Sequence, residues 1–148
     1  MLYNDADELL NSLKAWQVYL FHGKIDTTQP HYQVLLNKDF NKTGTMIYLS
    51  VSTSKIEGRE KFIKIRDFPQ DTLVIVEPWE VPFLTQKSCF NCNDVVSCDI
   101  YSMFWEMLSG NFKYKWDLPQ DILEKIYYWI SISPNVSKQT KRNIWLID

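Results

Sequence analysis

Residues 31–55, HYQVLLNKDFNKTGTMIYLSVSTSK, contain two runs of alternating, β-rich residues separated by a polar segment. Tyr32 to Leu36 and Thr45 to Ser52 read as strands, and NKDFNKTG between them supplies the Asn, Asp and Gly that turns favour. A hairpin of this length needs further strands and a covered face to be stable. It therefore commits the chain to a sheet. The polar turn loosely resembles a calcium loop, but Ser50 stands where a bidentate Glu is needed, so it is read as an ordinary hairpin turn.

The rest of the chain is read around that hairpin. DADELLNSLKAWQVYL, residues 5–20, has Leu9, Leu10, Leu13, Trp16 and Leu20 at helical spacing, with Asn4 or Asp5 as cap and His22-Gly23 as its end. KFIKIR (Lys61 to Arg66) reads as a short strand, TLVIV (Thr72 to Val76) as a buried central strand, and EPWEVPF as a turn. Ser88 to Val96 reads as another strand. DIYSMFWEML is helical, with Asp99 available as N-cap. LPQDILEKIYYWI is a stronger helix with Pro119 in its first turn, and SPNVSKQTKRNIWLI ends in a short one capped by Asn135 or Ser137. Strands followed by helices imply an α+β fold: a small, strongly bent antiparallel sheet or half-open barrel at about 22–98. Helices at about 4–20 and 99–147 flank it in a single domain, 1–148.

The composition suits such a domain. Of 148 residues, 45% are apolar and 15% aromatic, enough for a core. Formal net charge is −2, so attraction to phosphate must come from a local patch. Acids in NDADELLNSLK argue against a signal peptide, and no apolar run is long enough to span a membrane. Three cysteines, Cys89, Cys92 and Cys98, suit a reducing compartment, which points to a cytoplasmic location. Their C-x-x-C start lacks the second pair of a zinc site, so they read as buried thiols, and neither metal nor cofactor is expected. Cys92 or Cys98 as a nucleophile lacks a base at suitable spacing.

The candidate site is the open end of the hairpin. His31 starts the first strand and is expected across from about Ser50, which puts Thr53 within a side chain's reach. Thr53, Ser54 and Lys55 follow the second strand. Residues 53–66, TSKIEGREKFIKIR, hold five bases (Lys55, Arg59, Lys61, Lys64, Arg66) against two acids. This stretch reads either as a solvated surface loop or as a phosphate-binding edge. An imidazole with an ordinary pKa of about 6.5 serves as acid or base near neutrality, hydroxyls donate to phosphate oxygens, and cations offset developing negative charge.

HYQVLLN, the Gly-containing turn, MIYLSVSTS, DTLVIVEPWE and SCFNCNDV, followed by helices, together resemble PemK/MazF-like toxins of bacterial toxin–antitoxin systems, over about residues 22–130. The resemblance implies an SH3-like barrel, a homodimer and an antitoxin protein as inhibitor. It also implies metal-independent RNA cleavage by 2′-hydroxyl attack on the adjacent phosphate. It matches Thr53 to the family's strand-end Thr and Asp99 to its acid after the Cys-containing strand, although Asp99 also serves as a helix cap. His31 falls near the entry to the family's first long strand. Two features depart from the pattern: an N-terminal helix replaces the basic Gly-rich start, and Val96 stands where an Arg is usual. Lys55 and Arg59 are the available substitutes for that Arg, and aromatics around Trp79 and Phe83 are candidates to stack a base. The second reading is a non-catalytic binding module for RNA or protein, favoured by Val96, the acidic balance and the aromatic load.

Overall fold

The computed structural model describes residues 5–21, 30–40 and 43–144. It contains α1 (Ala6–Ser12), β1 (Gln17–Phe21), β2 (His31–Leu35), β3 (Met46–Thr53), α2 (Ile56–Ile65) and β4 (Leu73–Val76). There follow β5 (Ser88–Asn91), β6 (Val96–Asp99), α3 (Ile100–Leu108), β7 (Lys113–Asp117), α4 (Gln120–Ile132) and α5 (Lys138–Asn143). The sheet is antiparallel, in the order β4-β5-β3-β2-β1-β7. β6 lies beside the first half of β3 and β5 beside its last residues. The sheet is not closed: β4 ends it on one side and β7 on the other. The fold is therefore α+β. Among the described residues no helix is long and apolar enough to cross a membrane.

Strand alternation divides the core between two faces. Val18, Val34, Tyr48 and Phe90 face one side and pack with Ile122, Ile126 and Ile130 of α4. Tyr19, Phe21, Leu35, Ile47 and Leu49 face the other and pack with Leu9 of α1 and Met103 and Met107 of α3. Ile126, Ile130 and Met103 are wholly buried, and each contributes about 1.5–3 kcal/mol. A smaller cluster, with Ile63, Leu73 and Cys89, seats α2.

Helix ends follow local chemistry. Asp5 accepts from Glu8 N, Asp99 from Tyr101 N and Ser137 from Thr140 N, as N-cap side chains do. The α4 helix begins behind Pro119. A buried network joins α4 to the β5–β6 turn: Ser133 Oγ donates to Asn93 Oδ1 (2.7 Å), and Asn93 Nδ2 donates to Thr72 Oγ1 (2.8 Å). Lys141 Nζ donates to Ser133 O (2.8 Å) and ties in α5.

Four sequence expectations need correction, and one strand had no counterpart among them. The helix read over 5–20 stops at Ser12, and its second half is strand β1. Trp16, at φ 75°, breaks the helical path, and the β-rich residues QVYLF then find partners on both sides in β2 and β7. The expected end of that helix at His22-Gly23 lies outside the described residues. KFIKIR is not a strand but part of α2, whose residues Glu57, Arg59, Glu60, Lys61 and Lys64 favour helix while Ile63 faces inward. TLVIV is not central: β4 is the end strand, buried because α2 covers one face and α4 the other. The strand read over 88–96 is two strands, with a turn whose Asn91 Oδ1 accepts from Asn93 N. Finally, β7 went unread, since KYKWD is polar and solvent-exposed.

Candidate functional site

Pairs Gln33↔Val51, Val34↔Ser50 and Leu35↔Leu49 set the hairpin register. Continued outward, this register puts His31 opposite Thr53 rather than Ser50. The shift comes from the connection, where Asn37 replaces ladder bonds: its Oδ1 accepts from Tyr48 N (2.7 Å) and its Nδ2 donates to Met46 O (3.0 Å).

His31 is half-buried, and its Nδ1 lies 3.1 Å from Ser52 O. A carbonyl oxygen only accepts, so Nδ1 carries the proton in this bond. Neutral His31 then keeps its lone pair on Nε2, the form a general base requires. On the next strand Thr53 Oγ1 accepts from Lys55 N (3.1 Å), which turns the chain into α2 and leaves the hydroxyl proton of Thr53 free to donate.

α2 starts without a side-chain cap, and Lys55 occupies its N-cap position. A cation is unfavourable at the positive end of a helix dipole, and the first-turn N–H groups lack a capping acceptor. An anion placed there answers both conditions.

These groups border one cleft of about 460 Å³. His31, Tyr32 and Ser52 through Lys55 form one wall. Thr85, Gln86 and Ser88, brought in by the pairing of β3 with β5, form the other. Tyr32 carries Phe83 against it, ring centres 4.9 Å apart, so the cleft has an aromatic shelf beside its polar groups. Trp79 stands exposed in the same β4–β5 loop, which Glu77 braces by pairing with Lys87 at 3.6 Å.

The structure thus gathers His31, Thr53, Ser54 and Lys55. Arg59 is exposed in α2, four residues beyond Lys55, and does not line the cleft. Lys61 lines a separate hollow of about 310 Å³ with Lys64 and Asp67. Asp99 is elsewhere. It pairs with Met46 at the opposite end of β3, about 23 Å from Thr53 at roughly 3.3 Å per residue. There its carboxylate accepts from Tyr101 N (2.8 Å) and Thr45 Oγ1 (2.9 Å), so it caps α3 and pins β3 to it.

All three cysteines are buried and none forms a disulfide. Burial pushes the Cys89 thiol up to about 11 despite the opposing charge of Arg59, and Cys92 is raised further. Thiols held neutral in this way are poor nucleophiles. Among the described residues, no three His, Cys, Asp or Glu side chains cluster to hold a metal ion.

The sequence reading did not find Tyr32, Ser52, Gln86 or Ser88 as cleft residues, nor the uncapped start of α2. Their contribution depends on β3–β5 pairing and on α2 being a helix, and neither had a clear local signal. No family model matches the chain, and no curated protein is significantly similar to it.

Proposed function

We propose that this protein is an endoribonuclease that binds one RNA phosphodiester in the cleft between β3 and the β4–β5 loop. The observation that carries the reading is the joint placement of a tautomer-fixed His31 and the uncapped, Lys55-bearing start of α2 in one cleft. His31 Nε2 takes the proton of a ribose 2′-hydroxyl. O2′ attacks phosphorus, the P–O5′ bond breaks, and the proton returns from His31 to the leaving 5′-oxygen. The products are a 2′,3′-cyclic phosphate and a 5′-hydroxyl. Thr53, Ser54, Lys55 and the α2 N–H groups hold the non-bridging oxygens as charge develops. The likeness to PemK/MazF-like toxins supports this chemistry as metal-independent. It adds an SH3-like character for the sheet, an antitoxin protein as inhibitor and a homodimer as the working assembly.

The test is cleavage of a long mixed-sequence RNA in EDTA, with end analysis. Wild type is expected to give discrete cuts ending in cyclic phosphate. His31→Ala is expected to lose about 10²–10⁴-fold in rate with its fold intact. A folded wild type that does not cut rejects the enzyme reading. One observation favours a binding module on the same fold: Asp99, the acid that the resemblance supplies, stands at the far end of β3. In that case RNA is bound with the same Lys55 and Thr53 dependence and emerges uncut.

A further inference from the structure

The cleft has two unlike halves, and the chemistry proposed for it uses only one. His31 and Lys55, with the hydroxyls of Thr53 and Ser54, make up a half that carries titratable and charged groups. The other half is lined by Tyr32, Ser52, Leu84, Thr85, Gln86 and Ser88, with no charged side chain among them. A nucleotide is divided in the same way. Its anionic phosphate is joined to a neutral, flat heterocycle that carries donors and acceptors along its edge.

Strand register accounts for the division. Continued outward from Gln33↔Val51, it sets Tyr32 opposite Ser52 and His31 opposite Thr53. Ser52 also pairs with Phe90, which belongs to the α4 side of the core, and Ser88 stands two residues from Phe90 along β5. Tyr32, Ser52 and Ser88 therefore lie on the α4 side of the sheet, whereas His31 and Thr53 lie on the other. Both sides reach one cleft because β2 begins at His31 and β3 ends at Thr53.

The neutral half holds hydrogen-bonding capacity that the fold leaves unused. Ser52 is only 4% exposed; its carbonyl serves His31, and its hydroxyl is bonded to no described residue. Gln86 is exposed in the wall. Its backbone carbonyl accepts from Ser88 Oγ (3.1 Å), which ties it to β5, and its side-chain amide is bonded to no described residue. Tyr32, resting on Phe83, adds an aromatic neighbour. The side chains that read bases are matched to them by chemistry: a carboxylate accepts from cytosine, a cation donates to guanine, and an amide pairs with both N6 and N7 of adenine. This half has neither carboxylate nor cation. It has an amide, and hydroxyls that donate or accept. The unpaired bases of single-stranded RNA present these edges freely.

We propose that the neutral half is a base-binding subsite, in which the Gln86 amide, with Ser52 Oγ beside it, selects adenine in the nucleotide that adjoins the phosphate held by Lys55 and Thr53. The proposal rests on the reading of the cleft as a phosphodiester site and names the base that the same site takes.

The test is fluorescence-anisotropy titration of the full chain with labelled oligodeoxyuridylates, which lack the 2′-hydroxyl and are not cut. Each carries one adenine, one guanine, one cytosine or none of these. Wild type is expected to bind the adenine oligomer at least about fivefold more tightly than the others. Gln86→Ala is expected to remove that preference. Gln86→Glu is expected to move it to cytosine, whose N4 donates to a carboxylate, and Lys55→Ala to weaken all four alike. Circular dichroism checks the fold of each variant. An absent adenine preference, or one that folded Gln86→Ala and Gln86→Glu proteins keep, overturns the subsite; weaker binding by Lys55→Ala then leaves the phosphate site standing. A preference that depends on Gln86, with no effect of Lys55→Ala, supports the subsite and rejects Lys55 as the phosphate contact. Folded wild type that binds none of the oligomers rejects both.

Discussion

Ser50 shows how little tolerance the core has for an unmatched polar atom. Its Oγ is fully buried in β3 without a hydrogen-bond partner, opposite Val34. Burying such a group costs about 1–3 kcal/mol, whereas a methyl group fits the site's chemistry. Ser50→Ala is expected to raise stability by about 1 kcal/mol, read as a higher urea midpoint and a melting temperature up by about 2–4 °C. Cys89 gives a pH signature. Its thiol titrates near 9.0 when unfolded and about 11 when folded, so the unfolded chain loses the proton first. Stability should then fall as pH rises from about 9 to about 11, with Cys92 acting in the same direction. Urea unfolding across that range checks it, and Cys89→Ala should flatten the slope. His31 shows the opposite use of a polar group: one partner at Nδ1 leaves the other nitrogen its lone pair.

At the scale of the element, α2 sets stability against function. Its N-cap position holds Lys55, where Asp, Asn, Ser or Thr would bond a first-turn N–H. Lys55→Asp is expected to stabilise the protein by about 1 kcal/mol in chemical denaturation, through a new cap and a favourable charge at the dipole. The same change should abolish RNA binding and cleavage, because a carboxylate then occupies the place of the phosphate. A variant that is stabilised yet fully active would place the anion site elsewhere. The contrast with α3 sharpens the point. There Asp99 makes the cap bond and adds a second bond from Thr45, so that helix end is already satisfied.

Across the whole molecule, Lys55 is the basic residue that lines the proposed phosphate cleft. If it neutralises one phosphate, log K falls with log salt at about −0.7 from that contact for single strands. Replacing Lys55 with Ala is expected to lower the magnitude of the slope by about 0.7, measured between low and moderate salt. An unchanged slope would mean that Lys55 does not meet a phosphate. The net charge of −2 makes such local placement necessary, since the protein as a whole does not attract a polyanion.

The amino-acid sequence by itself determined the elements whose signals are local. Alternation and turn residues mark β2 and β3; caps and 3.6-residue spacing mark α3 and α4. The gathering of His31, Thr53, Ser54 and Lys55 at one end of the hairpin was legible because one short connection joins the two strands, although the register was not: His31 falls opposite Thr53 rather than Ser50. Tertiary structure decided the rest. QVYLF continues a helical stripe until β2 and β7 pair with it, and KYKWD has no buried face that would mark it as a strand. The second cleft wall exists only because β5 pairs with the end of β3, far along the chain from the hairpin. Asp99 was separated from Thr53 by the pairing of β6 with the start of β3, which no spacing in the sequence encodes. Spacing along a chain reports only contacts a few residues apart. Which strand lies beside which is settled by burial and backbone pairing over the whole sheet.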